Sequence, residues 1–199
     1  MKTIITLFLT GLFALVSLSA APAIGEKAPS FELKDYHGKS HSLADFEGKF
    51  VVLEWLNHDC PFVRKFYDGG HMQALQKKYT EKGVVWLVIN SSAPGQQGHL
   101  TPGSAKKISA EKKAKHTALL LDPDGKVGRA FDARVTPHMF VINPEGKLIY
   151  NGAIDSIRSA RAADIPRAEN YVVSALEAAM NGKEVANPVT RPYGCSVKY

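Results

Sequence analysis

Cysteine is the residue type best able to do chemistry in this chain, and there are two of them, Cys60 and Cys195. Cys60 stands in residues 50–67, FVVLEWLNHDCPFVRKFY. It directly precedes Pro61, a residue suited to the first position of a helix. A thiol at a helix start meets free amides and the positive end of the helix dipole, which favour the reactive thiolate. The competing reading is a small buried hydrophobe. Beside the thiol, His58 is a candidate proton acceptor or a turn-capping residue, with Asp59 between the two. Arg64, one helical turn on, would favour the thiolate if its side chain folded back, and is otherwise a solvated charge.

Local elements must aim that thiol. Residues 50–56 form an apolar run broken only by Glu54, the pattern of a strand buried on both faces. Residues 57–59 are a polar turn, and the spacing of Phe62, Val63, Phe66 and Tyr67 predicts a helix. Gly69-Gly70 interrupts that helix, which resumes from residue 71 to about 82. A second buried strand follows at 84–89, making a βαβ unit. In front of it, strands at 31–33 and 40–43 around His37-Gly38-Lys39 predict a hairpin laid before the main sheet. Behind it come a long Ser/Pro/Gly/Gln-rich loop at 90–103, a helix at 104–115, a short strand at 118–121 and a short helix at 127–131. Thr136-Pro137 then opens a strand at a corner where a cis peptide is a candidate. Asn143-Pro144-Glu145-Gly146 turns that strand into a partner at 147–151. Residues 152–167 read as a charged loop and 168–181 as an amphipathic helix closed by Gly182. The Pro-containing tail, 183–199, would fray unless something ties it down.

Residues 1–23 read as an export signal. Lys2 supplies the positive start, 4–18 are apolar, and Ser19-Ala20-Ala21-Pro22-Ala23 offers small residues for cleavage. The run is short for a membrane span, so no stable span is expected after its removal. A periplasmic or secreted location follows, and with it an oxidising compartment in which an even number of cysteines permits a disulfide. Spacing leaves open whether the two sulfurs meet. Residues 24–182 are expected to form one domain. The formal charge is +6, but the lysines and arginines are scattered and not interleaved with aromatics, which argues against nucleic-acid binding. His58, Cys60 and His71 are too few to call for a metal. There is no phosphate-binding glycine loop and no nucleophile elbow, so no cofactor is expected.

The order of elements, together with Ile24-Gly25-Glu26-Lys27-Ala28-Pro29-Ser30-Phe31, Phe46-Glu47-Gly48-Lys49, the strand-Cys-Pro-helix stretch, Thr136-Pro137 and Asn143-Pro144-Glu145-Gly146-Lys147, resembles the redoxin branch of the thioredoxin fold. That branch includes the alkyl hydroperoxide reductase/thiol-specific antioxidant group. The resemblance implies an α/β fold, a central mixed sheet flanked by helices, with an N-terminal β-hairpin extension. It implies a nucleophilic Cys60 acting on a protein or small-molecule disulfide or a peroxide, and a thiol reductant. It also implies a Thr136-Pro137 corner facing the thiol and able to receive a peptide in strand fashion. One departure matters. Relatives with a Cys-x-x-Cys site carry a second thiol where this chain has Val63, and peroxiredoxins place their reactive thiol there. Cys195 is then a resolving thiol, a structural staple or an unpaired tail thiol. The alternative function is a non-catalytic thioredoxin-like binding module with a static Cys60–Cys195 disulfide.

Overall fold

The computed structural model describes residues 21–199. Most of the leader expected at 1–23 lies outside the described residues.

The chain opens with β1 (Glu32–Asp35) and β2 (Ser40–Ser42), and the expected return strand ends early in a 3-10 turn, Leu43–Phe46. Next come β3 (Val51–Trp55), α1 (Pro61–Tyr67), α2 (His71–Thr80), β4 (Val85–Asn90), α3 (Pro102–Glu111) and β5 (Ala118–Leu121). The second half holds α4 (Lys126–Ala130), β6 (Val135–Thr136), β7 (His138–Ile142), β8 (Leu148–Gly152), α5 (Tyr171–Met180) and β9 (Cys195–Ser196). Within the stretch read as a charged loop, Ala162–Arg167 winds into a 3-10 helix.

Seven strands form one sheet in the order β2-β1-β5-β4-β3-β7-β8. The β3, β4 and β5 neighbours run parallel, as their helical crossovers require, and the remaining pairs are antiparallel. The amino-terminal hairpin does not lie in front of this sheet but extends it, because β1 pairs with the free edge of β5. Side chains alternate across the central strands, and both faces are covered. Val52, Val88, Met139 and Val141 pack with α1, α2 and α5, while Leu53, Trp55, Leu87 and Phe140 pack with α4 and Phe31. Five consecutive buried residues in β3 are the cause of its near-continuous apolar sequence.

The tail does not fray. It runs back over the carboxyl end of the central strands, where β9 pairs antiparallel with β6. Among the described residues no helix is long and apolar enough to cross a membrane.

Candidate active site

Cys60 sits where β3 gives way to α1, and an asparagine builds the turn. Asn57 Oδ1 accepts from the Asp59 amide at 2.8 Å, and its carbonyl accepts from the Cys60 amide at 3.0 Å. Its Nδ2 donates to Gln97 O at 3.2 Å, tying the turn to the long loop. The close fit needs Gly98, where a Cβ would come within 2.2 Å of Asn57 Oδ1 and φ is +78°. Cys60 is the N-cap residue of α1, Pro61 opens the helix, and the Cys60 carbonyl accepts from the Val63 and Arg64 amides.

The Thr136-Pro137 corner meets this thiol. The peptide bond is cis, and Thr136 O lies 3.1 Å from Cys60 Sγ, placed to accept the S–H of the neutral thiol. Opposite Thr136 in the β6–β9 pairing stands Cys195. Its sulfur is 2.7 Å from Cys60 Sγ, and its amide donates to Cys60 Sγ at 3.4 Å. Such closeness depends on the residue before it. At Gly194, φ is +146° and a Cβ would stand 2.0 Å from Thr136 O, so no other residue fits without moving the strand.

Anchors on both sides of Cys195 hold the tail. Upstream, buried Tyr193 donates its hydroxyl to Asp155 Oδ1 and packs edge-on against Phe62. Lys65, on α1 and 3% exposed, reaches Asp155 Oδ2 at 2.7 Å, Tyr193 Oη at 3.1 Å and Ile157 O at 3.1 Å. Downstream, Tyr199 donates to Ala133 O at 2.7 Å beneath the Arg129 guanidinium, and the Ala93 amide donates to Lys198 O.

These surroundings make the two thiols unequal. Burial of Cys60 favours the neutral thiol. The Cys195 thiol and amide outweigh burial by donating to the sulfur, and Cys60 is held below the usual thiol range. Cys195 is pushed up to about 11, by burial first and then by the neighbouring Cys60 sulfur. The arrangement suits a Cys60 thiolate that accepts a hydrogen bond from a protonated Cys195.

Of the residues singled out in the sequence, the structure brings Cys60, Cys195, Thr136 and Pro137 together. Arg64 points to solvent, and among the described residues its guanidinium has no hydrogen-bond partner, so the donors that hold down Cys60 are backbone and sulfur groups. His58 packs edge-on against Tyr67 at 4.9 Å and lines a separate polar cleft of about 320 Å³ with Asp59, His99 and Glu111. Burial, then the charges of Lys112 and His116, keep it neutral by lowering its pKa to about 4. Val63 is buried in the core beneath Cys60. Among the described residues no group of three or more His, Cys, Asp or Glu is placed to hold a metal.

Sequence reasoning missed Asn57, Lys65, Asp155 and Tyr193, and it passed over Glu54. That carboxyl is fully buried on β3. It accepts from Tyr67 Oη and Trp86 Nε1 at 2.8 Å and from Gln76 Nε2 at 3.2 Å. Burial raises its pKa to about 7 against those three donors. A lone Glu interrupting an apolar strand was the available signal.

A mixed sheet flanked by helices, a thiol at the start of the first helix and a cis-proline facing it define a thioredoxin-like redoxin. Residues 24–151 match the AhpC/TSA family, and the chain belongs to it. It is 30% identical over 133 residues to the thiol-disulfide oxidoreductase ResA of Geobacillus thermodenitrificans, covering 64% of this chain and 68% of that protein. Peroxiredoxin Bcp of Bacillus subtilis is 30% identical over 142 residues, covering 63% and 82%. Among solved structures, an uncharacterized conserved protein from Geobacillus kaustophilus superposes with a TM-score of 0.75 at 27% identity, covering 89% of this chain and 92% of that one. A putative thiol:disulfide interchange protein DsbE from Chlorobium tepidum gives 0.55 at 27% identity, covering 66% and 85%. The common ground is thiol-based redox chemistry. Cys195 lies outside the family match, which ends at residue 151.

Proposed function

We propose that the protein is an exported thiol-based oxidoreductase in which Cys60 is the nucleophile and Cys195 the resolving thiol. The observation that carries this reading is the 2.7 Å approach of the two sulfurs, with Cys60 the more acidic thiol of the pair and Cys195 the less acidic. A disulfide needs about 2.05 Å, so bond formation asks for a sub-ångström movement and no rearrangement of the tail.

With a hydroperoxide, the Cys60 thiolate attacks the terminal oxygen, the O–O bond breaks, and the alcohol leaves with a proton as Cys60 becomes a sulfenic acid. The Cys195 sulfur then attacks the Cys60 sulfur, the S–S bond forms and water leaves. With a disulfide substrate, the tail first lifts from Cys60, Cys60 forms a mixed disulfide, and Cys195 returns with the tail to displace the substrate thiol. In both cases two electrons leave the chain, and an outside thiol reductant must restore them. Export rests on Lys2, the apolar run and the small residues at 19–23, and it places the protein in the periplasm or outside the cell.

A static staple is the second reading, favoured by Val63 in place of a neighbouring thiol. Against it stands the anchoring of the tail by Tyr193 and Tyr199, which needs no covalent bond.

Intact mass under non-reducing conditions and a redox titration test the proposal. The expected result is a loss of two hydrogens on mild oxidation and a potential above about −300 mV. Cys195→Ser is expected to accumulate a Cys60 sulfenic acid and to lose repeated turnover. Two free thiols after oxidation, or a Cys195→Ser protein that cycles like the parent, would sink it.

A further inference from the structure

The tail lies in its groove as a bound peptide would. Pairing sets Cys195 opposite Thr136 and Ser196 opposite Val135, and the Val197 amide donates to Arg134 O at 3.0 Å. Two side-chain positions are fixed with it. Directly before the cysteine, Gly194 passes so close to the cis corner that a Cβ would meet Thr136 O at 2.0 Å, at a φ of +146°. One residue further back, Tyr193 is 4% exposed. Its ring packs edge-on against Phe62, and its hydroxyl meets Asp155 and Lys65. Ser196, on the far side of the cysteine, is exposed and makes no such demand.

Lifting the tail empties these places. Arg134 O and the Asp155 carboxylate each lose a donor, and Phe62 loses its cover. A backbone edge beside a vacated side-chain pocket takes an extended polypeptide, whose main chain supplies affinity and whose side chains supply choice. The tail is tethered and returns at a high effective concentration. An entering segment therefore holds the groove only by matching the contacts that the tail makes.

We propose that the groove under the tail selects polypeptide disulfides by the tail's own pattern: an extended segment with glycine directly before the reacting cysteine and tyrosine directly before the glycine. This rests on the proposed Cys60–Cys195 cycle and names its substrate class. A side chain in place of the glycine strikes Thr136 O, and a residue without the aromatic ring and hydroxyl leaves Phe62 and Asp155 uncovered. The Cys60 thiolate forms a bond to the segment's sulfur, the substrate S–S bond breaks, and its electron pair leaves on the other substrate sulfur, which takes up a proton. The returning tail then displaces the segment from the Thr136 edge. Cys195 gives up its proton and bonds to Cys60, and the segment leaves as a thiol with that proton. One substrate disulfide is reduced to two thiols, and the two protein thiols are oxidised to one disulfide.

The test uses the reduced full-length protein and a synthetic peptide, Arg-Pro-Tyr-Gly-Cys-Ser-Val-Lys-Tyr, whose cysteine carries thionitrobenzoate through a disulfide. Thionitrobenzoate release is followed by absorbance in a single turnover. Each rate is divided by that of the same peptide with dithiothreitol, which removes differences in intrinsic reactivity. A peptide with valine for the glycine is expected to react at least about tenfold more slowly, and one with alanine for the first tyrosine about fivefold more slowly. Rates within twofold of one another overturn the inference, and the cycle stands if each reaction still ends with a Cys60–Cys195 bond by intact mass. Release without that bond removes the cycle and the inference with it. Gly194→Val in the full chain supplies a second measurement. Its own tail docks less well, so the matched peptide is expected to react about fivefold faster than with the parent, with the same order among peptides. An unchanged or lower rate would mean that peptide and tail do not share the groove, and would overturn the inference as well.

Discussion

Two ionisable groups are sealed against the helix that carries Cys60, and the fold treats them in opposite ways. Lys65 points to one side, toward the tail, and is given a full ionic partner in Asp155 with Tyr193 and a carbonyl completing its donors. Glu54 lies on the other side, beneath α1, and receives only neutral donors from Tyr67, Trp86 and Gln76. A buried charge with a partner fixes position, because breaking the pair leaves the other charge stranded. A buried carboxyl without one titrates instead, since desolvation favours its neutral form. One side of the helix is therefore a clamp and the other a proton-binding site.

The clamp side should give the largest response. Lys65→Met strands Asp155 in the interior, and the expected loss of stability is about 3–5 kcal/mol, read by urea unfolding. The tail should loosen with it, so that Cys60 alkylates faster in the folded protein. Combining it with Asp155→Leu should recover much of the loss, as removing both charges often does. If the single variant is as stable as the parent, the pair does not hold the tail.

The other side should answer to pH. The folded pKa of Glu54 lies above its unfolded value, so between pH 4.5 and about 7 the folded chain holds more protons. Stability from this group is present below pH 4.5 and is lost as pH rises through that window, by about 3 kcal/mol. His58, His116 and His138 act in the reverse sense. Burial lowers each to about 4, so their contribution falls as pH drops below 6.5. Glu54→Gln isolates the carboxyl: the stability of the variant relative to the parent should rise from pH 4.5 to 7 and then level off. Parallel curves would mean that Glu54 does not titrate in that range.

The same contrast shows which parts of the molecule were legible in sequence. The buried strand β3, the Cys60-Pro61 helix start and the Thr136-Pro137 corner are local patterns, each written in a few adjacent residues. Lys65 is not local. Beside Arg64 it reads as half of a solvated helix face, and only Asp155 and Tyr193, 90 and 128 positions away, make its burial tolerable. Strand β9 has two residues and no apolar alternation, so nothing in residues 183–199 announced a pairing with β6. Gly194 was the one local clue, a residue without a side chain set directly before a thiol.

Tyr193→Phe removes one hydroxyl from the clamp and leaves the ion pair in place. Its expected cost to tail docking is about 1.5–3 kcal/mol, the worth of a hydrogen bond to a charged group. Because alkylation of buried Cys60 needs the tail to lift, the rate should rise at least about tenfold while global unfolding moves little. An unchanged rate would place the holding contacts downstream, at Tyr199.

Arg64→Ala is the smallest expected effect, and it tests whether the helix side that faces water takes any part. Arg64 is exposed, and the groups that hold the Cys60 thiol down are the Cys195 thiol and amide. A solvated charge is screened and pays entropy to hold one position, so its influence on a buried sulfur is slight. The pH midpoint of Cys60 alkylation should stay within about 0.3 unit of the parent, equivalent to ~0.4 kcal/mol. A rise of a full unit would mean that the guanidinium folds back over the helix start, and that the thiolate owes its stability to a side chain and not to the donors supplied by the tail. The two thiols would then be less tightly coupled than their 2.7 Å approach implies, because Cys60 would stay ionised after the tail had lifted.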